Sequence, residues 1–331
     1  MKTTSLRGYV KVIGVNALLF AAALLLLEGV CRWVGIPYKT KGAWTPGENA
    51  IAQFDAELGW AYIPGLSKTI AASGASWDAH FDQRGIRVPS PDFTLDPARP
   101  SVLFIGCSFT MGHGLSYQDN FVGKFAAIPQ NPWQAVNLGV QAYGTDQAYL
   151  ALKKFLPVFN AKFVVYTFIA EHVLRVGNYD RRLLLPDADF IGTKPLFGLT
   201  EQNELRLLKK PLKYSDYHHS FLLDALTVKI GARLGAFPPF PKELTQRLML
   251  EMNKASEARG ARFLILNWRW TPDEYEDIFH GLEVEKLDTL TNAPPRWEFM
   301  RMFQDGGHPN AAAGDHAARL IFEHLRRSER W

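Results

Sequence analysis

The chain has 331 residues, 47% of them hydrophobic and 21% charged, and its 37 basic and 33 acidic side chains leave a formal charge of +4. That composition excludes intrinsic disorder and a collagen-like or coiled-coil filament, and so small a charge without a long basic run argues against nucleic acid as a partner. Two cysteines, Cys31 and Cys107, stand in unlike contexts and make neither a disulfide framework nor a zinc-ligand pattern.

The first element is a run of sixteen residues without a charge, Val12 to Leu27, preceded by Lys2, Arg7 and Lys11. As a helix the run covers roughly 24 Å, and the mostly apolar Gly29 to Ile36, with snorkelling by Lys11 and Arg32, brings it to a bilayer span. The residues that follow, Glu28 to Trp33, offer no small-x-small cleavage site, so an uncleaved anchor is expected over residues 1–36 rather than a removed signal peptide. Basic residues are balanced on the two sides, and the place of the span near the N-terminus favours N-in, C-out. The expected location is the cytoplasmic membrane, single-pass, with the bulk of the chain facing the periplasm or cell exterior.

Residues 37–98 are rich in Gly, Pro, Ser and aromatics, with pieces such as LGWAYIPG and HFDQRGIRVP that read as strands and turns. This is an extended, strand-rich lead-in. From residue 99 to 331 strands alternate with helices: SVLFIG, a helix around Phe121 to Ala127, QAVNLGV, a helix over Thr145 to Leu156, then AKFVVYTFIA. Such alternation predicts an α/β domain with a parallel sheet covered by helices on both faces. Between about 176 and 241 the rhythm breaks into two strands around a polar turn and an amphipathic helix, SFLLDALTVKIGARLG, read as an insertion. It resumes with a helix from about Pro241 to Arg259, the strand ARFLILNW, a loop-rich stretch and a last helix from about Pro309 to Arg327.

Two places carry chemistry. Ser108, in Gly106-Cys107-Ser108-Phe109-Thr110, directly follows a strand, where α/β sheets place ligands and where a tight turn exposes a hydroxyl beside free backbone N–H groups. The alternative is a turn with a capping serine. Asp305 and His308, in Asp-Gly-Gly-His-Pro-Asn just before the last helix, sit three residues apart, so the carboxylate can fix the imidazole tautomer and leave its other nitrogen facing a serine. Alone, such a pair reads as a solvated loop; its weight comes from partnership with Ser108.

Taken together, the strand with Gly106-x-Ser108-x-Thr110, the segment from Asn137 to Gln147 after a second strand, and Asp305-x-x-His308-Pro-Asn before the terminal helix resemble the SGNH/GDSL hydrolase family. The lead-in pieces FDAELGWAYIPG and RGIR resemble membrane-anchored bacterial members. The resemblance implies a three-layer α/β/α, flavodoxin-like sandwich with a parallel sheet, here preceded by a transmembrane helix. It implies Ser108 as nucleophile, His308 as general base and then acid, and Asp305 as its orienting carboxylate. It also implies an oxyanion hole of the Ser108 N–H, a glycine N–H and an asparagine side chain, and there the chain departs from the pattern. The glycine position falls on Ala142, with Gly139 and Gly144 as alternatives. The asparagine position falls on Glu171-His172; a carboxylate repels an oxyanion whereas His172 has an N–H to donate, so His172 is the expected donor. The structural alternative pairs Glu171 with Arg175 and leaves His172 packed. Cys107 reads as a small buried side chain.

The expected function is an extracytoplasmic serine esterase or O-acyltransferase acting through an acyl-serine intermediate, on O-acyl (acetyl) groups of a carbohydrate, with lipid esters and thioesters also open. Neither metal nor organic cofactor is expected: His218-His219 lacks a third ligand, His113 reads as a loop residue, and no phosphate-cradling glycine motif occurs. Trp60, Trp77, Trp268 and Trp270 are candidates for a sugar-binding cleft or for the core. The competing expectation is a catalytically weak SGNH-like domain that binds a glycan or a partner in the cell envelope.

Overall fold

The computed structural model of the chain describes residues 6–35, 51–72, 75–181, 192–213, 220–233, 241–271, 277–301 and 307–328. The uncharged run lies in helix α1 (Leu6–Val34), whose 29 residues make a rod of about 44 Å, longer than a hydrocarbon core of about 30 Å. None of its most apolar window is buried against the rest of the chain.

The lead-in contributes a hairpin, β1 (Ala52–Asp55) with β2 (Gly59–Tyr62), and then β3 (Ser67–Ala72), β4 (Ala75–Phe81) and β5 (Arg87–Val88). After it come β6 (Ser101–Gly106), α2 (Ser108–Met111), α3 (Phe121–Ala126), β7 (Gln134–Gly139), α4 (Thr145–Phe155), β8 (Ala161–Phe168) and α5 (Glu171–Val176). A second hairpin, β9 (Leu196–Leu199) with β10 (Leu205–Lys209), leads to α6 (Phe221–Arg233) and α7 (Lys242–Glu257), and the chain closes with β11 (Arg262–Asn267), β12 (Lys286–Asp288) and α8 (Ala311–Ser328).

Five strands are parallel and lie in the order β7-β6-β8-β11-β12, which in chain order is the 2-1-3-4-5 arrangement of flavodoxin-like sheets. Every residue of β6 and β7 is buried, as a strand covered on both faces requires. One cover is α3 and α8, whose Phe121, Phe125, Ala317 and Ile321 meet Phe104. The other is α4 and α7, whose Leu152, Met249 and Met252 meet Ile105 and Tyr166. These are the three layers of an α/β/α sandwich.

The sheet is not wholly parallel. Strands β5, β4 and β3 continue it antiparallel beyond β7, joined through Arg87 opposite Asn137. The lead-in thus completes the central sheet, because β7 would otherwise be an open edge of unpaired N–H and C=O groups.

Candidate active site

Strand β6 ends at the point where the sheet order reverses, between β7 on one side and β8 on the other, the crevice in which such sheets bind ligands. Gly106 has φ of +149°, and a Cβ there would collide with the Thr110 hydroxyl, so only glycine turns the strand this sharply into α2. Ser108 is the first residue of α2, and Gly112, left-handed at φ +82°, closes that single turn by donating its N–H to the Ser108 carbonyl at 2.8 Å. Gly139, at the end of β7, lies where a Cβ would strike the Met111 nitrogen, and Asn137 Nδ2 donates to Thr110 O at 2.9 Å.

Across 200 residues of sequence, His308 Nε2 lies 2.8 Å from Ser108 Oγ. Its ring packs on Phe109 at 5.4 Å between centroids, with Phe109 in turn edge-on to Trp268 at 5.6 Å. Asp305 lies outside the described residues, as do His218 and His219. Cys107 is fully buried at the N-cap of α2, as expected of a small packing residue.

The loops around Ser108 are held from the lead-in. Arg87 is 1% exposed and its guanidinium donates to the carbonyls of Asp78, Met111, Gly112 and Leu115, so one side chain from β5 fixes the whole turn after α2. Burial pushes its pKa down to about 10. In the loop after β7, Trp60 Nε1 donates to Gln141 O at 2.8 Å, Gln141 N donates to Tyr62 Oη at 3.0 Å, and the Tyr143 hydroxyl donates back to Trp60 O. Between these fixed points Ala142 adopts φ +63°, a left-handed conformation that favours glycine. Gly139 N–H donates to Asn137 Oδ1 and Gly144 N–H to Gln147 Oε1, at 3.1 and 3.2 Å. By contrast, the N–H groups of Ala142 and Ser108 make no hydrogen bond among the described residues.

The segment after β8 is arranged otherwise. Glu171 is exposed and makes no ion pair with Arg175, whose Nη1 donates to Tyr143 O at 3.0 Å. His172 is fully buried, stacked on Tyr166 and edge-on to Phe168, with Nδ1 2.7 Å from the Tyr166 hydroxyl. Burial, and then the charges of Arg175 and Arg181, hold its pKa well below the ordinary imidazole value, so the ring is neutral. Its Nε2 is buried without a partner, and no hydrogen bond or ring contact links it to Ser108, Ala142 or His308 among the described residues. The Tyr166 hydroxyl donates to Thr145 Oγ1 at 2.9 Å, so the short contact to His172 is donated by Nδ1–H and accepted by Tyr166. Next to this segment Lys194 forms a fully buried ion pair with Asp146, and Arg181, also buried, leaves Nε and Nη1 without a partner among the described residues.

Two site residues escape a reading of the sequence. Arg87 is one; its signal is a charged residue between two apolar ones, Ile86 and Val88, in a strand-like piece. The other is His113, expected as a plain loop residue: its ring lies 4.6 Å from that of His308 and 5.2 Å from Trp77, and its Nδ1 meets Gln141 Nε2. Its position five residues after Ser108, between Gly112 and Gly114, is the only trace of this in the sequence. The four tryptophans are 0 to 7% exposed and belong to the core rather than to an open cleft.

Among solved structures, the chain is similar to TesA, at 14% identity over 69% of this chain and 98% of that one, with a TM-score of 0.41. It is similar also to the psychrotrophic esterase EstA from Pseudoalteromonas sp. (12% identity, 71% and 100% covered, TM-score 0.40). A member of the lipolytic protein G-D-S-L family from Veillonella parvula gives 10% identity, 69% and 99% covered, and a TM-score of 0.42. No family model and no curated protein matches the sequence.

Proposed function

We propose that the chain is a membrane-anchored serine esterase or O-acyltransferase of SGNH/GDSL type. The observation that carries this reading is the 2.8 Å approach of His308 Nε2 to Ser108 Oγ at the switch point of a flavodoxin-like sheet. His308 takes the hydroxyl proton as Ser108 Oγ attacks the acyl carbonyl, and Asp305 orients the imidazole and stabilises its charged form. The tetrahedral oxyanion is met by the N–H groups of Ser108 and Ala142. His308 then returns the proton to the leaving alkoxide. Water or a sugar hydroxyl, activated by the same imidazole, releases the acyl group, which gives hydrolysis or transfer.

The favoured substrates are O-acyl, above all O-acetyl, groups of a carbohydrate outside the cytoplasm. Support for that location is the bare apolar helix α1 close to the N-terminus, read as a span with N-in, C-out orientation. The test is release of p-nitrophenol from p-nitrophenyl acetate by the full chain in detergent, beside Ser108→Ala. Turnover is expected to fall by about 10⁴-fold or more in the variant, with an unchanged melting temperature. Equal turnover in the two proteins would refute the assignment, and no turnover in a folded wild type would favour a binding domain.

A further inference from the structure

Helix α6 starts on the anchor. The Glu28 carboxylate of α1 accepts hydrogen bonds from Ser220 Oγ at 2.7 Å and from the backbone N–H groups of Phe221 and Leu222 at 3.1 and 2.8 Å. A side chain nearly two hundred residues earlier therefore caps the N-terminus of α6, where N–H groups have no partner of their own. Arg32, one turn on, pairs with Glu28 at 2.6 Å and lies 5.2 Å above the Phe221 ring. These bonds are charge-assisted and leave the carboxylate saturated.

Glu28 is also the residue that ends the apolar run Val12 to Leu27. On the second half of α1 Glu28 is half-buried and Cys31 buried, while the apolar run before them is exposed. The start of α6 is thus pinned to α1 six residues before the end of the candidate span Gly8–Val34, about 9 Å along the helix. From there α6 shows solvent three large apolar side chains, Leu223, Leu226 and Ile230, at 63, 44 and 46% exposure. Their spacing of three and four puts them on one face.

We infer that α6 is a second membrane-contacting element, lying in the headgroup–acyl boundary with Leu223, Leu226 and Ile230 turned to lipid, and that the Glu28 cap fixes it to the anchor. The inference rests on the reading of α1 as a span. The occupant of the face is the bilayer, because α6 is joined to α1 at Glu28, within the candidate span Gly8–Val34, and a helix so placed meets lipid before any other partner. With two connections to the membrane instead of one flexible stalk, the domain that carries Ser108 is held in a set orientation above the surface.

The test uses the full chain in vesicles of phosphatidylcholine and phosphatidylglycerol, with an environment-sensitive fluorophore on Leu226→Cys; both native cysteines are buried in the fold. Lipids carrying a nitroxide high on the acyl chain are the quencher. The same probe on Leu19→Cys reports the span, and on the exposed Glu257→Cys a surface away from lipid. Loss of about half or more of the emission at 226, with none at 257, is expected for a helix seated in the boundary. An unquenched probe at 226 beside a quenched one at 19 overturns the inference and leaves the anchor standing. No quenching at either position overturns the anchor reading and the inference with it. Emission at 226 that ignores the nitroxide but changes when the protein is diluted in lipid means that a second copy covers the face, which also overturns it.

Discussion

The loops after β6 and β7 and the segment after β8 all end at the carboxyl edge of the same sheet, yet they are held by opposite means. The first two are fixed from outside, by Arg87, Trp60 and Tyr62 of the lead-in, while the N–H groups of Ser108 and Ala142 make no hydrogen bond among the described residues. The segment after β8 is fixed from within, by His172 turned into the core against Tyr166 and Phe168. The difference teaches where precision near Ser108 comes from. A loop whose own N–H groups are left unused is anchored instead by side chains from elsewhere in the chain.

The strongest way to break this contrast is Arg87→Met, which leaves four carbonyls that now share one guanidinium. Loss of roughly 3 kcal/mol of stability is expected, read as a lower denaturant midpoint. On the other side, His172→Gln probes the inward-held segment through pH. The neutral imidazole is held well below its ordinary value of 6.5 in the fold, whereas the unfolded chain takes up a proton near that value. Stability of the wild type therefore falls as pH drops below about 6.5, by about 1.4 kcal/mol per pH unit until the depressed pKa is reached. Urea midpoints over that window should lose the slope in the variant; an unchanged slope would mean that His172 does not set it.

A smaller effect is expected from Trp60→Phe, which keeps an aromatic ring but deletes the donor to Gln141 O. One hydrogen bond of about 1 kcal/mol, felt at the loop that carries Ala142, corresponds to roughly a five-fold fall in kcat for p-nitrophenyl acetate with KM little changed. The gentlest test is Ala142→Gly. Glycine relieves the left-handed strain at φ +63° and brings back some unfolded-state entropy, so a net gain of about 0.5 kcal/mol with unchanged kcat is expected. A clear loss of stability would show that the alanine methyl packs usefully.

The strands and helices were legible where periodicity and burial agree. SVLFIG and AKFVVYTFIA are apolar runs of strand length and form β6 and β8, and the helix read over Thr145 to Leu156 is α4 to within a residue at its end. The lead-in was legible as strands but not as part of the main sheet, since β5 has only two residues and its partner β7 lies fifty residues on. At the site, Gly106, Ser108 and His308 stood out because a strand-to-turn glycine and a His two residues before a helix-capping Asn310 have local signatures. His113 and Arg87 have none, as what makes them part of the site is a ring and four carbonyls brought in by folding. The tryptophans mislead for a similar reason: an indole suits a sugar face or a core equally, and only burial tells them apart.

By itself the sequence determined an apolar helix near the N-terminus, an α/β alternation, and a glycine–serine turn directly after a strand. These are local properties, set by side-chain pattern within a few residues. Tertiary structure alone decided that His308 meets Ser108, that the lead-in closes the sheet edge and grips the loops, and that His172 faces inward. Each depends on contacts between residues far apart in the chain, whose energy exists only once the sheet has brought them together.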